Sequence, residues 1–440
     1  MSKNVFLFSI LLITLIVFMM LTVAFGYYSI FFNLSIVSVL MIAIIQVYAN
    51  GLFSPSTIVI FTALPYFLTS IFNYNLFRSI NYNFVDSSIS LVIFCFLFFV
   101  SFLIFNQTIK SIKIKNIEFK EKTNSYFILV TYFLFLMVYI ILVDQLFSLK
   151  IGSITRADIY KSKPVFFDLY KIFMYSFSIF YGWYILCIKS YKGKFLLIWF
   201  LPFIILVSVD ILILGDRRLA VLLILIYTFV LNTKTKISPL YIIFGSFFAV
   251  FLWIYSYLRN TSIDQWSNII HDLDYNVVFS PDKSEFGAFS IIWNDYFSKY
   301  SSVQMHPTYL ETFVQLIPGF IYSDRPIPPS VSFVKEFYPD IYNVGGGLAF
   351  NAILESMMNF NIFGPIALAL ILVFFSKFYN KNQLGILLGA IYIFCFSFTM
   401  RNDMISNLRT LLIVGIVISI CVLIFCKIKN PRRSEEHTSE

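Results

Sequence analysis

Five arginines and one glutamate are the residues of this chain best suited to chemistry. Arg217 and Arg218 stand side by side in the Gly215–Arg218 turn (GDRR), with Asp210 a little over one helical turn earlier. Adjacent guanidinium forks can grip a pyrophosphate through paired N–H···O bonds. Asp210 can orient them or bind beside them; its competing role is a structural Asp–Arg pair in a tight turn. Arg325 lies in Ser323–Pro329 (SDRPIPP), where proline stiffens the backbone and lowers the entropy lost when a side chain is fixed on a ligand. Arg401 shares the Met400–Asp403 turn (MRND) with Asp403, and Arg259 offers a further cation for a second anion clamp. Gly345, Gly346 and Gly347 precede an apolar stretch, a pattern that leaves backbone N–H groups open to an anion at a helix start. Beyond them Asn351, Glu355 and Asn359 recur at i, i+4 and i+8, on one helical face. Such a polar stripe suits sugar hydroxyls, with Glu355 as a general base. The alternative is a stripe that bonds to neighbouring helices.

These residues must be positioned by a membrane bundle. The chain has 440 residues, of which 59% are hydrophobic and 12% charged, a balance outside the range of soluble globular domains. Apolar runs place twelve expected spans at about 5–25, 29–48, 56–73, 86–105, 126–147, 169–188, 195–214, 218–232, 240–257, 358–376, 384–400 and 408–426. The first run lacks a small-residue cleavage site and is expected to stay as a span. With both termini cytoplasmic, most lysines fall in inside connections, as the positive-inside rule requires. Eight of the ten arginines (Arg78, Arg156, Arg217, Arg218, Arg259, Arg325, Arg401 and Arg409) then fall outside, against that rule. Snorkelling to lipid phosphate accounts for Arg78 and Arg409 equally well; anion recognition is the reading for Arg217, Arg218, Arg325 and Arg401.

The domain organisation expected is a bundle over 1–257, one large outer segment over 258–350, a second bundle part over 351–432, and a tail at 433–440. The large segment has helical patterning at Phe286–Tyr300 and Pro307–Leu316, as a substrate platform would. The tail, RSEEHTSE, resembles translated sequencing adapter and is expected to be non-native; without it the formal charge moves from +9 to +11. All five cysteines lie in apolar runs, and no Walker loop, HExxH or CxxC is present, so neither a metal nor a cofactor is implied. Nothing in the charge pattern points to nucleic acid.

The span number, the GDRR turn after the seventh span, the dominant outer segment with IPGFIYSDRPIPP, and GGGLAFNAILESMMNFNIFGP entering the next span together resemble the Wzy-type O-antigen and capsular polysaccharide repeat-unit polymerases. The resemblance covers most of the chain. The arginine-to-glycine spacing of some members is not present at Arg217, Arg325 or Arg401. The resemblance implies an all-α, GT-C-like membrane architecture in a bacterial inner membrane. It also implies a metal-independent glycosyltransferase facing the periplasm, which moves a growing glycan from undecaprenyl pyrophosphate onto a lipid-linked repeat unit. By that resemblance Arg217, Arg218 and Arg325 are donor-pyrophosphate ligands, Arg401 and Arg259 a second clamp, and Glu355 the base. Membrane lipids and a chain-length regulator are the accompanying partners. The rival reading is an O-antigen ligase, in which His306 would act; a lipid-linked oligosaccharide flippase fits less well, because ionisable groups lie near the span ends.

Overall fold

The computed structural model describes residues 14–15, 17–19, 21–77, 82–112, 114, 117–147, 165–189, 196–214, 217–233, 287–315, 317, 321–322, 324–343 and 350–428. Side chains at 72–77, 82–87, 147, 165, 196–198, 217–218, 287–288 and 341 are outside that description. Almost everything described is helical. Among the described residues, seven helical stretches are long and apolar enough to cross a membrane, Ala352–Ser376 with its internal turn being one of them, and Pro55–Ile71, Trp199–Leu212 and Leu219–Asn232 are shorter apolar helices. The chain is an all-α multi-pass membrane protein. The ninth expected span, 240–257, lies outside the described residues, and the first is described only in part.

The chain forms two compact units. The first is drawn from Met1–Lys110, Leu273–Lys377 and Cys395–Arg409, the second from Ser111–Asp272, Phe378–Phe394 and Thr410–Glu440. In the first unit α1 (Tyr28–Asn50), α2 (Pro55–Phe77) and α3 (Tyr82–Thr108) pack together. In the second, α4 (Ser125–Phe147), α5 (Val165–Trp183), α6 (Leu196–Leu212) and α7 (Arg217–Asn232) form a bundle, with a three-residue antiparallel pairing of β1 (Phe119–Glu121) and β2 (Cys426–Ile428). α4 leaves Phe127, Val130, Leu134 and Ile141 exposed along its length, a surface suited to lipid.

Buried charge ties this second bundle together. Asp210 of α6 is fully buried, accepts hydrogen bonds from Tyr139 of α4 (2.5 Å) and Tyr175 of α5, and pairs with Lys171 of α5 at 3.5 Å. A carboxylate inside an apolar bundle needs such partners, and here they come from two neighbouring helices. Gly182 of α5 allows Tyr227 of α7 to lie flat against the helix; a Cβ there would meet the ring at 2.6 Å, and the Tyr227 hydroxyl donates to the Ser178 carbonyl at 2.9 Å.

The large segment is built into the first unit. α8 (Gly287–Lys299) buries Phe289, Ile292 and Trp293 against α2 and α3. The Phe289 ring meets Tyr66 edge-on at 5.8 Å, Ser290 bonds to Ser70 at 3.1 Å, and the Trp293 indole N–H donates to Ser90 at 3.2 Å. After it come α9 (Thr308–Gln315), α10 (Pro329–Phe337) and α11 (Pro339–Asn343).

The tenth span departs from expectation. The span expected at 358–376 is divided: α12 (Ala352–Phe360) ends inside it, a 3-10 turn follows at Asn361–Phe363, and α13 (Gly364–Ser376) makes up the rest. In a continuous helix, residues eight apart lie about 12 Å along the axis. Here a Cβ on Gly364 would fall 2.4 Å from the Ser356 carbonyl carbon, so α13 begins against the backbone of α12. Asn361 makes the turn with φ of 51°, which asparagine tolerates better than most side chains. α13 then packs along α3, and Lys377 at its end donates to Asn106 Oδ1 at 2.8 Å. α14 (Gln383–Phe396), a 3-10 turn at Thr399–Arg401 and α15 (Met404–Phe425) complete the described chain.

Gly364→Ala should therefore lower stability by about 1–3 kcal/mol through overpacking against backbone that cannot yield. Gly415→Ala on α15, where nothing stands within 4 Å, should be neutral or slightly stabilising. Thermal unfolding of the two purified variants in detergent, read as the shift in midpoint, checks both.

Candidate functional site

The first unit holds a cavity of about 490 Å³ walled by α8, α9, α10 and the residues around them. Tyr296 comes from α8 and Tyr300 directly follows it, Phe333 and Phe337 come from α10, and Phe350 and Met358 close the side nearest α12. Phe333 and Phe337 stack at 4.4 Å, one turn apart on α10, as residues at i and i+4 do. Polar groups are set among these rings: Gln304, His306, Thr308, Glu311, Ser332 and Glu336. Flat rings with a few convergent donors and acceptors are the common composition of a small-molecule site.

Several of those polar groups are held. The Tyr296 hydroxyl accepts the Gln304 N–H at 2.8 Å, and burial raises the Tyr296 phenol above its ordinary range. Glu336 is pushed upward by burial, but hydrogen bonds from Lys299 (2.5 Å) and Tyr300 outweigh this and leave it below the usual carboxylate value. Asp295, half-buried behind the wall, is raised by burial and accepts from the Tyr338 hydroxyl. His306 Nδ1 lies 3.6 Å from Glu311 Oε2 at the open side.

Beneath the cavity lies Glu355, 1% exposed. Its Oε1 takes the hydroxyl of Thr308 at 3.2 Å, and its Oε2 takes the Met404 backbone N–H at 2.8 Å. Thr308 lines the cavity; Met404 does not. The expected base is thus set behind the cavity wall. The other members of its stripe face inward too. Asn351 is the N-cap of α12, accepting the Leu354 N–H at 3.1 Å and donating to the Phe289 carbonyl at 2.9 Å. Asn359 donates to Thr308 Oγ1 at 2.6 Å and to the Glu355 carbonyl at 2.9 Å, and accepts the Tyr309 N–H at 2.9 Å. The open polar stripe expected for sugar hydroxyls is instead an internal one, because α12 is short and covered by α8 and α9.

Comparison with family models, curated proteins and solved structures returns no match. The site is read from its own geometry.

Arg401 lies in the 3-10 turn before α15, half-buried, and its carbonyl accepts the Phe350 N–H at 2.7 Å. Asp403, two residues on, accepts the Ser406 N–H at 3.0 Å as the cap of α15 and the Ser330 hydroxyl of α10 at 2.5 Å. Arg401, Asn351, Glu355 and Asn359 therefore share one bonded assembly. Arg325 is exposed; its Nη1 lies 3.5 Å from the Ile317 carbonyl, and Pro326 and Ile327 beside it line the cavity. Arg217 and Arg218 open α7 in the other unit, with their side chains outside the described residues; Arg259, Gly345, Gly346 and Gly347 are outside altogether. Asp210 is buried among Tyr139, Tyr175 and Lys171, so its described contacts are with the chain's own groups and not with an open surface.

Sequence reasoning passed over Thr308 and the aromatic wall. The Thr308 signal was slight, a threonine after proline at a helix start. The wall had a fuller one: Tyr296 and Tyr300, and Phe333 and Phe337, are two aromatic pairs each spaced four residues apart. Lys171 was also legible as a cation inside an expected span, facing a need for Asp210.

Asp403→Ala should cost about 1–2 kcal/mol by removing a helix cap, and it also frees α10 from its tether. Asp403→Asn, which keeps one oxygen for the Ser406 N–H and offers its amide N–H to the Ser330 hydroxyl oxygen, should cost less than half as much. Thermal midpoints of the two variants measure the difference.

Proposed function

We propose that this chain is a polysaccharide repeat-unit polymerase of the O-antigen or capsule type, working at the outer face of a bacterial inner membrane. The observation that carries the reading is an aromatic-walled cavity with a buried carboxylate one hydroxyl behind it and Arg325 beside it. A pyranose has apolar C–H faces and a rim of hydroxyls, which suit tyrosine and phenylalanine faces interleaved with short polar groups. In the reaction, an acceptor hydroxyl attacks the anomeric carbon of the donor glycan, and the bond from that carbon to the lipid pyrophosphate breaks. The departing pyrophosphate gathers negative charge, and arginine forks stabilise it. Arg325, beside the cavity, and Arg401, whose backbone carbonyl holds the N–H of the wall residue Phe350, are the described candidates. Glu355 takes the acceptor proton.

His306 at the cavity rim supports a second reading, a ligase that passes the same glycan to a lipid A-core acceptor. Alanine at His306 separates the two: the polymerase keeps its long products, and the ligase loses attachment of polymer to its anchor.

Deletion of the gene should leave glycolipid carrying a single repeat in place of the ladder of long chains on a gel; a normal ladder in the deletion strain would sink the proposal. Complementation with Glu355→Gln should lower polymer formation by about 100-fold or more, the usual scale of lost acid–base catalysis. Arg325→Lys, which keeps charge but loses the planar fork, should shorten the chains.

A further inference from the structure

We propose that Thr308 is a proton relay between the cavity and Glu355, so that the acceptor hydroxyl is deprotonated through a threonine and not by the carboxylate directly. The proposal rests on the polymerase reading of this site and adds to it the residue that touches substrate.

The direction of the relay follows from Asn359. An amide has one end that donates and one that accepts, and its orientation must be assigned from its neighbours. Asn359 Oδ1 faces the Tyr309 N–H at 2.9 Å, which needs an acceptor. The Nδ2 end faces the Glu355 carbonyl oxygen at 2.9 Å, which needs a donor. Both neighbours are backbone groups of fixed sense, so the amide has one orientation. The same Nδ2 stands 2.6 Å from Thr308 Oγ1 and donates to it. Thr308 therefore spends one lone pair on Asn359 and keeps its own proton, which points to Glu355 Oε1 at 3.2 Å. A hydroxyl has one proton and two lone pairs. The second lone pair of Thr308 is left for a donor, and Thr308 lines the cavity. Glu355 is held from its far side by the Met404 N–H at 2.8 Å, so Oε1 stays on the Thr308 side.

The step balances. The acceptor oxygen bonds to the donor's anomeric carbon and releases its proton to Thr308 Oγ1. Thr308 passes its own proton to Glu355 Oε1. The bond from the anomeric carbon to the pyrophosphate oxygen breaks, and its electron pair leaves with the lipid pyrophosphate. Glu355 returns the proton through Thr308 to water once product has gone. Nothing is oxidised or reduced.

The test uses the purified full-length protein in lipid nanodiscs, with single-repeat glycolipid extracted from the deletion strain as substrate. Thr308→Val removes the hydroxyl at similar volume; kcat should fall about 100-fold with KM nearly unchanged. Thr308→Ser should restore most of kcat, which a purely packing role of the methyl group would not allow. Thr308→Val combined with Glu355→Gln should be no slower than the worse single variant, because both interrupt one path. If Glu355→Gln is inactive while Thr308→Val keeps wild-type kcat, the relay is wrong and the polymerase reading stands. If no variant and no preparation of the wild type forms polymer from that glycolipid, the polymerase reading itself falls. Should Thr308→Val fail to fold, single-turnover rates of the wild type in mixtures of light and heavy water decide the matter. Two protons in flight give a curved dependence on deuterium fraction, and a linear or flat one overturns the relay.

Discussion

A carboxylate buried in an apolar bundle has to find its donors within the chain, and the first unit is arranged around meeting that need for Glu355. One donor comes from the start of α9 and the other from the start of α15, elements almost a hundred residues apart in sequence. Leaving such a group without donors would cost several kcal/mol. That penalty fixes where α9 and the 399–404 turn sit with respect to α12. Asp403 extends the same logic outward, since its second oxygen holds Ser330 and with it the start of α10, one wall of the cavity. The cavity is thus the outer consequence of satisfying charge at its base.

The second unit solves the same problem differently. Asp210 is met by two phenols and an ammonium from neighbouring helices, so its charge is neutralised where it lies. Its partners lock α4, α5 and α6. Glu355, in contrast, is met by neutral donors, a hydroxyl and an amide N–H. Neutral donors leave a carboxylate more of its basicity than an ammonium does. The chain therefore keeps one acidic residue as a clamp and another in a setting compatible with proton transfer.

Much of the helical content was legible because apolar runs of about 20 residues have few alternatives in an apolar phase. The expected runs at 29–48, 126–147 and 384–400 correspond to α1, α4 and α14 within a few residues at most ends. The break at Asn361 was not legible. Asn361 and Gly364 flank Ile362 and Phe363, and an apolar average passes smoothly over all four; only the close approach of Gly364 to Ser356 explains the turn. The chemistry of the Asn351, Glu355 and Asn359 stripe was readable as a shared face, but not what covered it. Periodicity tells which side chains point together, and the covering elements, α8 and α9, lie 40 to 60 residues earlier. Thr308 was hidden for the same reason: its importance depends on Asn359 and Glu355, which no local pattern connects to it.

α8 also sets how the cavity can admit and release a ligand. Tyr296 near its end and Tyr300 just after it belong to the cavity wall, while Phe289, Ile292 and Trp293 on the same helix are anchored against α2 and α3. Swinging that wall aside would strip each anchor of cover, at roughly 1.5–3 kcal/mol apiece. The trough is accordingly closer to a fixed die than to a clasp. A ligand must therefore match the spacing of the rings as they stand, and selection by shape is made before contact and not by closure around it.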